Sequence, residues 1–228
     1  MQAGFEVYND GNALVIDGTY RNMSFRLKGT AVTTTVVDQF STVTVSLSGL
    51  SGYPCVAVKS SSGAWAAVRS YASGACLVDI VALGGVGTSV DYYIFDLPQP
   101  IAGDNAGLQV FNAAGDMVFS SSHRYVRIVG SITASAGPSL PSNSITLAAG
   151  KTYAVMQNNP MAYAKIVNQS PVPGEQDWYL YSMRGCFKVA SNVITAVASE
   201  FAAVHYGVTV PPPYSVAATG FVVDVTGY

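Results

Sequence analysis

Apolar and polar positions alternate with a period of two along most of this chain, the signature of strands that bury one face. The first clear case runs Met23, Phe25, Leu27 against Asn22, Ser24, Arg26, Lys28. Thr42–Leu47 alternates Val43, Val45 and Leu47 with Thr42, Thr44 and Ser46. Pro54–Lys59 and Ala64–Arg69 read as a hairpin around Ser60–Gly63, and Cys76–Leu83 as an apolar strand buried on both sides. Val90–Leu97 follows the Gly84-Gly85 break. Further on, Ile145–Leu147, Thr152–Met156, Ala162–Val167, Trp178–Met183, Cys186–Ala190, Val193–Val197 and Phe221–Val225 have the same texture. Ala196–Val204 is Ala-rich and fits one or two helical turns, whereas His205–Val210 reads as strand. No long amphipathic helix is written anywhere. The predicted class is all-β, with short strands separated by turn signals as in β-sandwiches.

The pattern also repeats. Gly4-Phe5-Glu6-Val7-Tyr8-Asn9 returns as Gly107-Leu108-Gln109-Val110-Phe111-Asn112, and the match holds without a gap through Arg26 and Val129. Gly4, Val7, Asn9, Val15 and Arg21 recur identically, and apolar positions recur as apolar. Each copy reads as a hairpin, Phe5–Tyr8 and Ala13–Ile16 around Asn9–Asn12 in the first, followed by a strand. The closing strands match as well, each an apolar run followed by an aspartate, Asp96 or Asp224. The expectation is two tandem related β-sandwich domains, residues 1–98 and 104–228, joined by a Pro- and Gly-marked linker at 99–103.

Only 11% of the 228 residues are charged, roughly half the usual share, and the formal net charge is −2. Lys and Arg are scattered, so a nucleic-acid partner is not expected. No stretch suits membrane insertion, and the opening residues lack the basic and apolar regions of a secretion signal, which predicts synthesis in a cytoplasm without classical export. A neutral Ser/Thr/Gly/Ala/Tyr surface loses little hydration on burial and leaves edge strands without blunting lysines, so a homo-oligomer, a trimer first, or stable docking in a larger assembly is expected.

Candidate chemistry is sparse. His123 and His205 lie far apart without ligand spacing, and no nucleophile elbow or phosphate loop is present. No catalytic residue, metal ligand or cofactor is therefore expected, and neither is an enzyme. Cys55, Cys76 and Cys186 read as small buried hydrophobes rather than a disulfide framework. The aromatics say more. Tyrosine joins apolar area to a polar tip and is favoured at interfaces. Alternation puts Tyr179 and Tyr181 on one face of a strand and Trp178 on the other; core packing, a subunit contact and glycan binding are the three readings. Tyr92 and Tyr93 are further interface candidates.

The opening hairpin, its second copy and the uncharged Ser/Thr/Ala/Gly/Tyr texture resemble β-rich virion proteins of tailed bacteriophages, in particular those encoded near tail-tip and tail-fibre genes. The resemblance covers the start of each repeat. It implies a non-enzymatic structural component of a phage tail, assembled in the bacterial cytoplasm and residing in the virion. Its partners would be other tail proteins and, for a receptor-binding subunit, a host surface receptor or glycan. Capsid decoration and a carbohydrate-binding module are the alternatives.

Overall fold

The computed structural model describes residues 6–8, 10, 14–17, 20–100, 107–134, 143–159 and 161–228. Among them every regular element is a strand, so the all-β class is borne out. In the first half these are β1 (Glu6–Tyr8), β2 (Leu14–Asp17), β3 (Ser24–Val32), β4 (Thr35–Val37), β5 (Phe40–Leu47), β6 (Cys55–Lys59), β7 (Ala64–Ala72), β8 (Ala75–Ala82) and β9 (Ser89–Asp96). The second half holds β10 (Gln109–Phe111), β11 (Met117–Ser120), β12 (Ile128–Ala134), β13 (Ser144–Thr146), β14 (Tyr153–Asn159), β15 (Met161–Asn168), β16 (Trp178–Ala190), β17 (Val193–Gly207), β18 (Ser215–Val216) and β19 (Ala218–Asp224).

The repeat is kept in the hydrogen-bond register. Hairpin β1–β2 pairs Glu6 with Asp17, Val7 with Ile16 and Tyr8 with Leu14; β10–β11 pairs Gln109 with Ser120, Val110 with Phe119 and Phe111 with Met117. Each position is displaced by 103, and the irregularity after Val7 returns after Val110. The next strand keeps the same displacement. β3 pairs with β9 with a bulge between Phe25 and Leu27, and β12 pairs with β19 with a bulge between Ile128 and Gly130. Bulges bend and twist a ladder, so shared bulges impose one curvature on both halves.

Each half places apolar positions between two layers. In the first, Val56, Val58, Val78, Ile80, Val90 and Ile94 form a buried cluster; in the second, Ile132, Val155, Phe187, Val189, Ile194 and Val222 do. The layers do not stop at the boundary between halves. One sheet runs β12-β19-β14-β6-β9-β3, the other β13-β17-β16-β7-β8-β5-β4, with β15 on β16 and β18 on β15. The joins are β6 to β14 at Val58–Val155 and β7 to β16 at Ala64–Phe187, both antiparallel. Strands β6 and β14 hold equivalent positions beside β9 and β19, as do β7 and β16 beside β8 and β17. Antiparallel pairing of equivalent strands is the arrangement a two-fold axis produces, so the halves meet as the subunits of an isologous dimer would.

The outer edges of the six-stranded sheet also meet. Ser24 bridges Tyr125, the Phe25 N–H donates to the Arg124 carbonyl at 2.7 Å, and the Val126 N–H donates to Met23 at 3.0 Å. Inside this closure lies a cluster drawn from both halves: Ala57, Tyr93 and Phe95 with Ala154, Val223, Val225 and Tyr228, bordered by Met23, Phe25, Val126 and Met156. Burying large side chains such as Phe95 contributes about 1.5–3 kcal/mol each. A smaller cluster of Phe40, Trp65 and Cys186 crosses the other sheet at the seam.

Four readings of the sequence are corrected. Residues Pro54–Lys59 and Ala64–Arg69 are not a hairpin: β6 and β7 belong to different sheets, and the 60–63 segment steps from one layer to the other. The Ser60 carbonyl accepts from the Val189 N–H at 2.8 Å there, which ties the step to the other half. Strand β8 is not buried on both sides. It alternates buried Cys76, Val78, Ile80 and Ala82 with half-buried Leu77, Asp79 and Val81. Asp79 takes hydrogen bonds from Arg69 Nε at 2.7 Å and Thr44 Oγ1 at 2.8 Å, so its face is the wet one. Ala196–Val204 is strand throughout, inside β17, because pairing with β16 overrides the helical preference of alanine. Trp178–Met183 and Cys186–Ala190 likewise form one strand, β16.

Candidate functional site

The tyrosine candidates separate into two environments. On β9, Tyr93 is buried in the shared interior, where desolvation and the Asp91 carboxylate push its phenol up. Tyr92 is half-buried and lies over Gly29, its directly paired neighbour; a Cβ at Gly29 would come 2.3 Å from the Tyr92 hydroxyl. Both side chains serve the interior, and neither is presented as a contact surface.

Trp178, Tyr179 and Tyr181 stand on the outer part of β16. This strand and β17 are 13 and 15 residues long, against 9 and 8 for their counterparts β7 and β8. The surplus length, with β15 and β18, forms a wing that the first half lacks. Tyr163 and Met183 root it in the core cluster of the second half.

On one face of the wing the rings of His205, Tyr179 and Tyr181 stack in a row. Tyr179 lies 4.6 Å from His205 and 6.4 Å from Tyr181, each at 23°. Lys165 Nζ stands 6.0 Å from the centre of the Tyr181 ring, and Gln169 Nε2 donates to the Tyr181 hydroxyl. His205 Nε2 is 2.5 Å from Asp177 Oδ1. Asn168 fixes the intervening loop: its Oδ1 accepts from the N–H groups of Ser170 and Asp177, and its Nδ2 donates to the Glu175 carbonyl. Tyr179 and Tyr181 are half-buried, and Tyr181 also packs against the core cluster of the second half. Trp178 lies on the opposite face, as alternation requires. Its indole N–H has no acceptor among the described residues.

Sequence reasoning named the tyrosines, weighed His205 only as a metal ligand, and missed Lys165, Gln169 and Asp177. The register Lys165–Tyr181 and Tyr179–His205 is what brings them together, and no spacing in the chain announces it. It also missed an apolar rim on the wing, where Val204, Tyr206, Val208, Val210, Tyr214 and Val216 are exposed. The row Val204, Tyr206, Val208, Val210 is itself a period-of-two pattern, and that signal could have found it.

Elsewhere the chemistry is quiet. Among the described residues no three His, Cys, Asp or Glu side chains are grouped so as to hold a metal ion, and no helix is long and apolar enough to cross a membrane. Cys55, Cys76 and Cys186 are free, and burial pushes all three thiols up. That favours the unreactive protonated form. A cavity of about 460 Å³ borders Arg124, Tyr125, Arg127 and Thr226–Tyr228, and a groove of about 400 Å³ crosses the seam between Trp65 and Met156.

No protein-family description, curated protein or solved structure matches this chain.

Proposed function

We propose that this protein is a non-enzymatic structural component of a bacteriophage tail, present in several copies and held by neutral aromatic and aliphatic contacts to other tail proteins or to itself. The observation that carries the assembly reading is the wing. It adds long strands to one half only, roots them firmly, and exposes Val204, Tyr206, Val208, Val210, Tyr214 and Val216. A group of exposed apolar side chains on one projection marks an interaction site. The low charge of the chain fits a surface that spends its working life covered. The tail assignment rests on the resemblance of the repeated hairpin and the uncharged texture to tail-tip and tail-fibre proteins. A receptor-binding role would use the same projection, and a trimer is the homo-oligomer such a tail would favour.

Gold-labelled antibody against the purified protein, applied to intact phage particles from the source lysate, tests this reading. Label at the tail is the expected result. Particles that carry no copy of the protein would refute it, and label on the head would move the protein to capsid decoration.

A further inference from the structure

The two halves are matched strand for strand, but one pair of equivalent surfaces is treated differently. In the first half, Phe25 on β3 and Tyr93 and Phe95 on β9 lie on one face, and the segment Val225–Tyr228 covers them. It makes a tight turn, with the Tyr228 N–H donating to the Val225 carbonyl at 3.2 Å and Gly227 at φ 79°. The Tyr228 ring then packs 4.8 Å from Phe25 and 5.8 Å from Phe95. Lys28 Nζ donates to the Tyr228 backbone oxygen at 2.6 Å, and the Tyr228 hydroxyl donates to the Tyr125 carbonyl. Under this cover Tyr93 is only 6% exposed.

In the second half the register puts Ile128, Phe221 and Val223 where the first has Phe25, Tyr93 and Phe95. Here Phe221 is 39% exposed, Ile128 52% and the neighbouring Val129 44%. The residues that correspond to Val225–Tyr228 are Leu97–Pro100, and they turn elsewhere. Leu97 packs on Gly52, where a Cβ would come within 2.7 Å of it. Gln99 Nε2 bonds back to the Gly49 carbonyl and the Asp96 carboxylate. Val223 stays buried in the shared cluster, but the Phe221 and Ile128 part of the surface, covered in the first half, is exposed in the second.

We infer that the Ile128–Phe221 surface is a docking site for an extended, uncharged segment of a partner protein that carries an aromatic side chain just after a tight turn. The occupant is specified by the molecule itself, since Val225–Tyr228 fills the equivalent site. β12 bears no charged residue and, among the described residues, its strand pairing is with β19 alone. Aromatic burial between Ile128 and Phe221 supplies the affinity. The inference concerns a partner segment of any origin and stands whether or not the protein is found on phage particles.

The test uses the full chain with isotope-labelled Ile and Val methyl groups, titrated with an end-blocked synthetic peptide of the sequence of residues 225–228, which carries no charged side chain. The expected result is saturable shifts at the Ile128 methyls. Binding should weaken by about tenfold or more with a peptide carrying alanine in place of its tyrosine, or with the Phe221→Ser chain, whose remaining spectrum reports that it is folded. Three results would overturn the inference: no shift at those methyls, equal shifts with the alanine peptide, or shifts that follow protein concentration without peptide. The last would assign the surface to a second copy of the chain.

Discussion

Gly29 and Tyr92 face each other across β3 and β9, and the same cross-strand pair in the second half is Ile132 and Gly220. One half sets the large side chain on the last strand and the other sets it on the first. In the second half the space near Gly220 belongs to Val155 and Phe187, which a Cβ there would meet at 2.6 and 3.1 Å. Neither glycine is explained by its own neighbours in the sequence, because each is small on account of a residue across the sheet. The aspartates behave oppositely and were legible. Asp96 and Asp224 close equivalent strands, and both are buried. Asp96 accepts from the N–H groups of Ser51 and Gly52 at 2.6 and 2.8 Å, pinning the chain that leads into β6. Asp224 does the same at β14 with Lys151 Nζ at 3.0 Å and Arg127 at 3.6 Å. Burial pushes the Asp224 carboxyl up. The Thr226 hydroxyl and N–H, the Lys151 ammonium and the Arg127 guanidinium outweigh it and hold the group down at about 2. The stabilisation is therefore full above the ordinary value of 3.8 and is lost as pH falls through about 2. Asp224→Asn should cost about 1–3 kcal/mol in urea unfolding at pH 7, and the difference from the unchanged chain should shrink steadily below pH 4. A deficit that stays constant down to pH 2 would show that the charge contributes nothing.

At the scale of elements, periodicity located most strands and said little about which sheet each one joins. A period of two reports that a strand has a wet and a dry face, and the step between β6 and β7 leaves that pattern unbroken while changing the layer. The hairpin at Ser73-Gly74, by contrast, is written in its residues. Both are at positive φ, 49° and 77°, as a tight two-residue turn requires, and a Cβ at Gly74 would lie 2.7 Å from the Leu50 carbonyl oxygen. The wing escaped sequence reading because its strands, β16 and β17, look in sequence like several short ones. Its outer part is paired on both sides, to β15 and β17, but of residues 178–181 and 202–207 only Tyr181 is packed against a core cluster, so its hydrogen bonds should open without global unfolding. Hydrogen exchange followed by mass spectrometry should show residues 178–181 and 202–207 exchanging well before residues 185–190, which lie against the core. Equal protection along β16 would mean that the wing is as firmly held as the sandwich, or is already covered by another copy.

For the molecule as a whole, the duplication was legible from the first residues of each copy, and the register keeps it down to the bulges. What the sequence did not disclose is how the copies sit. The seam consists of one paired position on each sheet, Val58–Val155 and Ala64–Phe187, with a cluster around Phe95, Val223 and Tyr228 behind it. Such contacts depend on two halves meeting face to face, and no local pattern encodes them. Their consequence is that the halves share both sheets and a common interior, so neither should lose its fold while the other keeps it. Calorimetric unfolding of the dilute chain tests this directly. One transition is expected, with van't Hoff and calorimetric enthalpies that agree. Two separable transitions, each surviving in a chain cut within residues 99–103, would contradict it.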